Sequence, residues 1–273
     1  MPTAVPILLY HSVSDRAAGK FGPFTVSRSQ FASHLDHLAA RGVSTLTVGQ
    51  MLEHISVRGH IPDCSAVITV DDGFADFHTN AWPEIRDRGM NATLYVTAGM
   101  LGGYSDWLAD LGAANIPMLG NEQLIELATQ GCEIGAHSMS HPQLDCVPLR
   151  HAAYEIEQSK DVLEQVLGQS VDSFAYPHGY HDRKVRQLVV DAGYSSASAV
   201  RDSLSHTDDD RFALARVTVK SDFGISQIDR VITGQGIGLA PRRELIRTRI
   251  WRQVRRQQFR RQRIETLRGK PRS

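Results

Sequence analysis

The chain has 273 residues, 41% of them hydrophobic and 22% charged, with thirty Lys/Arg against thirty Asp/Glu. That is an ordinary globular composition, long enough to bury a core without disulfides or a structural metal. Three cysteines without CxxC spacing argue against a disulfide framework, and the absence of any 18-residue apolar run argues against a hydrophobic membrane-spanning helix.

The charge balance is uneven along the chain. Thirteen of the thirty basic residues lie between Arg242 and Arg272, against two acids there, so an acidic body carries a basic tail. The start, Met1-Pro-Thr-Ala-Val, has no positive segment and no long apolar core. No signal peptide is expected, and the default location is cytoplasmic.

The predicted elements alternate from end to end. Pro6–Val13 reads as a buried strand, and Ser29–Arg41 as a helix with Phe31, Leu35 and Leu38 on one face, stopped by Gly42. Val43–Leu46 is a short strand and Val48–Ile55 a short helix. The β-rich run Ala66–Val70 ends abruptly in Asp-Asp-Gly, Ala75–Arg88 is helical, and Ala92–Thr97 is a strand. Gly102–Gly120 is a loop-like insert. Helix Asn121–Thr129, strand Cys132–Ala136, helix His151–Leu167, strand Val171–Tyr176, helix His181–Ala192 and strand Tyr194–Ala199 follow, and Phe212–Val219 closes the series. Short, continuously apolar strands separated by helices imply a parallel sheet covered by helices, either an open sheet or a closed barrel. In both, reactive groups belong at the C-terminal ends of the strands.

The unusual polar residues fall at those ends. His11 follows the first strand, Asp71-Asp72-Gly73 the AVITV strand, His137-Ser-Met-Ser-His141 the CEIGA strand, and Tyr176-Pro177-His178-Gly179 the VDSFA strand. Singly each has a bland reading: an incidental histidine pair, or a turn with a helix cap. Together they form two imidazoles and a carboxylate, the ligand set of many catalytic zinc sites, with a second carboxylate beside it. Successive strand-end side chains diverge, so one aspartate can bind metal while the other is free to act as general base.

The motifs T-V-D-D-G-F (Thr69–Phe74), H-S-x-x-H-P (His137–Pro142) and F-A-Y-P-H-G (Phe174–Gly179) resemble those of the polysaccharide deacetylases, the NodB-homology or carbohydrate esterase family four proteins. The opening I-L-L-Y-H-S-V is similar to the branch containing bacterial poly-N-acetylglucosamine deacetylases. The resemblance spans roughly residues 5 to 220. It implies a distorted (β/α) barrel, read here as one catalytic domain (1–240), and the composition of the remainder adds an Arg-rich helical extension (241–273). It implies a divalent ion, zinc or in its place Co2+ or Ni2+, held by Asp72, His137 and His141. It further implies Asp71 as general base, the His178 backbone N–H as an oxyanion donor, and Tyr176 and Pro177 at the substrate.

Two departures stand out. The arginine that many relatives carry two residues before the motif-three proline is Ala175 here, and their late L-x-H motif is Leu214-Ala215-Arg216. With no histidine there, His11 is the candidate general acid. Asp145 and His181 are expected to have surface or capping roles. Trp82, Tyr95 and Tyr194 are expected in the core, Trp107 as a loop anchor or a sugar-stacking ring, and the cysteines as buried thiols. The tail, residues 242–268, reads as a weakly amphipathic helix with Ile246, Ile250, Trp251 and Val254 on a stripe. It is expected to be solvated or to touch an anionic membrane surface, with nucleic acid disfavoured by the acidic body. The function expected is N-deacetylation of a carbohydrate, or of a lipid- or nucleotide-linked amino sugar. An O-acetyl esterase, a deformylase, or an inactive carbohydrate-binding or scaffold relative is the alternative.

Overall fold

A computed structural model describes residues 4–241 and 246–267 of the chain. Eight parallel strands form the framework: β1 Ile7–Tyr10, β2 Ser44–Leu46, β3 Ser65–Val70, β4 Thr93–Val96, β5 Glu133–Ala136, β6 Ser173–Ala175, β7 Ser196–Ser198 and β8 Val217–Thr218. Their spatial order is β7-β6-β5-β4-β3-β1-β8, with β2 pairing on the N-terminal half of β3. The segment preceding β8 then bonds to β7, Leu214 N–H to Ala197 O at 3.0 Å and Ala199 N–H to Leu214 O at 2.8 Å. Those bonds curl the sheet into the expected distorted barrel.

The helices are α1 Arg28–Ala40, α2 Val48–Arg58, α3 Trp82–Asp87, α4 Asn121–Thr129, α5 Leu149–Leu167, α6 Arg183–Asp191, α7 Ile225–Thr233 and α8 Ile246–Leu267. Side-chain alternation divides the core in two. Leu8, Tyr10, Ile68, Val70, Leu94, Val96 and Phe174 pack outward beneath the helices, and Ile7, Val67, Tyr95 and Ala175 fill the barrel interior. That parity aims the next residues of the same phase, His11, Asp71 and His137, into the barrel mouth. Gly135 is required by the crowding inside, where a Cβ would lie 2.5 Å from the Tyr95 ring.

Several predicted boundaries shift for local reasons. The first strand breaks at His11, and Ser12–Val13 pairs instead with Thr25–Val26. The helix expected over Ala75–Arg88 splits into a π turn, Phe77–Ala81, and α3, because Pro83 cannot donate a helix hydrogen bond. The insert contains one 3-10 helix, Asp106–Leu111. Trp82, Tyr95 and Tyr194 are buried. Of the cysteines only Cys132 is buried; Cys146 is half-buried, and Cys64, in a turn at positive φ, is exposed. Residues 242–245 and 268, within the predicted tail helix, lie outside the described residues. No described helix is long and apolar enough to cross a membrane.

The middle of α8 lies against the barrel, which corrects the expectation of a solvated tail. Arg255 is 7% exposed and reaches Asp145, itself buried and not the surface or capping residue expected.

Candidate active site

At the mouth of the barrel Asp72, His137 and His141 offer ligand atoms that all lie within 4.8 Å of one another, and all three residues are buried. The Oδ1 of Asp72 is 3.6 Å from His137 Nε2 and 3.3 Å from His141 Nε2. Two ligands of a tetrahedral zinc ion, each about 2.0–2.1 Å from it, sit about 3.3–3.4 Å apart. The spacing suits such an ion, and Asp72 Oδ1 is a buried acceptor with no hydrogen-bond partner. His137 Nδ1 is 2.8 Å from the Ala175 carbonyl, so Nδ1 carries the proton and the Nε2 lone pair faces the carboxylate. Burial pushes the pKa of His137 to about 4 and that of His141 to about 3, which leaves both rings neutral, as metal ligation demands. Burial raises Asp72, and the nearby His11 and His137 offset this only in part.

Asp71 has a different fate from its neighbour. Both of its oxygens accept from Arg216, Nη1 to Oδ1 at 2.6 Å and Nη2 to Oδ2 at 2.7 Å. Burial pushes the Asp71 carboxyl up, but the guanidinium beside it, helped by His137, holds it below the usual carboxylate range. Arg216 is fully buried in the barrel interior, where it also donates to the Ala199 carbonyl and lies 5.4 Å from the Tyr95 ring centre. The cation missing at Ala175 is thus supplied from the position of the late L-x-H histidine. The readable signal was an arginine embedded in the apolar stretch FALARVTV, since a buried arginine needs an acid.

The histidine loop is held from behind. Glu155, on the buried face of α5, accepts from the amides of Met139 (2.9 Å) and Ser140 (2.8 Å) and from the Ser140 hydroxyl (2.6 Å). Ser138 and His141 have positive φ, 65° and 59°, as do Asp72 (78°) and His178 (58°). Each such position costs about 1–3 kcal/mol, and persists only where surroundings enforce it. Four of the six non-glycine positive-φ residues described belong to this site.

His178 is exposed at the mouth, its ring 4.6 Å from that of His141. Its turn is closed by the amides of Gly179 and Tyr180, bonded to Tyr176 O and Pro177 O. Gly179 is obligatory, since a Cβ there would stand 2.4 Å from the Val200 nitrogen. Tyr176 and Pro177, expected at the substrate, have buried side chains, and the Tyr176 hydroxyl donates to Phe212 O. They frame the turn. His11 is half-buried against Phe24 and Phe21, and its Nδ1 has no partner. Burial lowers its pKa, and the carboxylates of Asp72 and Asp71 pull it back. Trp107 stacks on His141 at 5.2 Å and on Phe74 at 6.1 Å, and so walls the site.

A parallel barrel whose strand ends converge on Asp, Asp, His and His has the architecture of a hydrolase. Residues 59–197 match the family model described as Polysaccharide deacetylase, and the chain belongs to that family of C–N hydrolases. YxkH of Bacillus subtilis, named for the same family, is 25% identical over 218 residues, 80% of this chain and 72% of that protein. The poly-beta-1,6-N-acetyl-D-glucosamine N-deacetylase of Staphylococcus aureus is 21% identical over 208 residues, 73% of this chain and 69% of its own. The fold is that of the Streptococcus pyogenes deacetylase PplD solved with acetate (TM-score 0.72, 21% identity, 85% of this chain and 99% of that one). IcaB from Ammonifex degensii shares it as well (TM-score 0.72, 24% identity, 84% and 97%).

Proposed function

We propose that this deacetylase removes an N-acetyl group from an amino sugar, within a carbohydrate or a lipid- or nucleotide-linked precursor, and that it uses a divalent ion, zinc before cobalt or nickel. The observation that supports this reading is the convergence of Asp72, His137 and His141, with the carboxylate of Asp71 at 3.8 Å from His137 Nε2. A divalent ion held by those three residues would polarise the acyl oxygen and ease deprotonation of a water beside it. Asp71 takes that proton through a lone pair that Arg216 leaves free, since a carboxylate accepts at about four sites. The His178 amide donates to the acyl oxygen as charge builds there. His11, beside both aspartates with an unpartnered Nδ1, passes a proton to the departing amine; burial keeps its pKa low, so that proton is one it takes up during the reaction.

The test is acetate release from N-acetylglucosamine oligomers and sugar–lipid precursors with added zinc or cobalt. Asp71→Asn should lower turnover by about 10²–10⁴-fold and still bind zinc. His137→Ala should lose zinc affinity as well. Turnover that survives in both variants removes the proposal. Wild-type zinc binding without acetate release would favour the ester, formamide or non-catalytic readings instead. For location, exposed Ile250 and Trp251 among arginines suit the inner face of an anionic membrane. Vesicle co-sedimentation unchanged by Trp251→Ser together with Ile250→Ser would exclude that contact.

A further inference from the structure

The reaction chemistry leaves α8 without a role, yet this helix grips both loops that flank the site. Asp145 lies four residues beyond His141, and its side chain is wholly buried. It accepts from Arg255 Nη2 at 2.5 Å and forms an ion pair with Arg252 Nε at 3.3 Å, while Arg256 Nε bonds its backbone carbonyl at 2.7 Å. The same three arginines hold the loop after His178. Arg252 donates to the His181 carbonyl at 3.0 Å, Arg256 to Asp182 at 2.6 Å, and the Arg255 guanidinium lies over the Tyr180 ring, 3.5 Å from its centre.

From that guanidinium a continuous run of rings reaches the candidate ligands. Tyr180 stacks on His178 at 5.9 Å and 28°, and His178 meets His141 edge-on at 4.6 Å. Trp107 and Phe74 continue the run on the far side of His141. A cation over an aromatic face gains most where water is excluded, and Arg255 is 7% exposed. Within the His178 turn Gly179 is packed against Val200. The next residue, Tyr180, carries the Arg255 guanidinium over its ring. A turn with φ of 58° at a non-glycine residue keeps that conformation only while its surroundings hold it.

We propose that Arg255 is a positioning residue for the deacetylation: paired with Asp145 and stacked on Tyr180, it fixes the His178 turn, and with it the amide that meets the acyl oxygen. The inference rests on the reading of His178 given above. It makes the C-terminal helix part of the working site, outside the segment that matches the family model.

Full-length Arg255→Ala and Arg255→Lys, loaded with zinc, test it by acetate release and by amide hydrogen exchange at His178–Tyr180. Because the amide acts in the transition state, Arg255→Ala should lower kcat and kcat/KM together, by ~10-fold. That is less than the about 10²–10³-fold that losing a donor costs. The zinc dissociation constant should stay within about twofold, and exchange at the turn should quicken. Arg255→Lys, which keeps a cation over the ring, should recover most of the loss. Unchanged exchange at the turn overturns the proposal, whatever the activity. So does a kcat within about twofold of wild type, or a loss of zinc affinity parallel to the loss of kcat. If the zinc-loaded wild type releases no acetate, the functional reading fails, and the exchange measurement still decides whether Arg255 fixes the turn.

Discussion

The acidic turn after β3 and the histidine loop after β5 meet at one point but are stabilised by opposite means. The acidic turn holds three carboxylates within six residues, Asp71, Asp72 and Asp76, and its brace is a cation, Arg216, from 145 residues away. The histidine loop is neutral, and its brace is an anion, Glu155, fifteen or sixteen residues on and in the next helix. Charge explains the contrast. Buried carboxylates must be neutralised or protonated, and here the cation reaches the barrel interior from a distant strand segment. A loop of outward-turned amides needs an acceptor, and the adjacent helix offers one. A site can thus be braced locally where it lacks hydrogen-bond acceptors and non-locally where it lacks countercharge.

Three variants would break or sharpen that contrast. The largest effect is expected for Arg216→Met, which leaves Asp71 buried without its cation. Removing one partner of such a pair costs about 3–5 kcal/mol of stability. The released carboxyl should also titrate higher, which moves the acid limb of kcat/KM upward. Calorimetry and a pH–rate profile check both, and an unshifted acid limb would deny Arg216 its influence on Asp71. Glu155→Gln comes next. It removes the charge that gathers two amides and a hydroxyl, and should weaken zinc binding about 10–100-fold in a chelator competition, as outer-shell changes do. Unchanged affinity would make Glu155 a brace for the fold alone.

The third effect, visible only as a pH dependence, is expected for Asp76→Asn in metal-free protein. Burial pushes this carboxyl to about 7, with the Ser12 hydroxyl and Val13 amide opposing. The unfolded chain releases the same proton near 3.9. Between about pH 4 and 7 the folded state therefore binds more protons, so its stability falls as pH rises, and the fall is complete above about 7. The asparagine variant should lack that component of the slope. Melting temperatures measured across this range compare the two, and parallel curves would contradict the assignment.

Much of this was legible in the residues because it is local. Each motif follows a β-rich run, and the alternation within Ala66–Val70 already points Asp71 to one side and leaves Asp72 to the turn. The barrel, the candidate ligand cluster and the strand order of the motifs all rest on such short-range patterns. Arg216 stands where relatives carry a histidine, which hides its role as a countercharge, although the apolar residues around it mark it as buried. Glu155 was legible in principle, since it shares the buried face of α5 with Ala152, Ile156, Ser159 and Leu163. The grip of α8 on Asp145 had no local signal at all. An arginine-rich helix looks alike whether it faces water or an acid more than a hundred residues upstream, and only the closed barrel brings the two together.

The Asp71–Arg216 pair also orders events in time. During synthesis the proposed base and all three candidate ligands leave the ribosome well before the arginine that neutralises Asp71, and that arginine arrives with the segment that shuts the barrel. A nascent chain that has made its motifs is still unable to settle them. Competence for chemistry and completion of the barrel become one event, and an unfinished chain carries the parts of the site without the site.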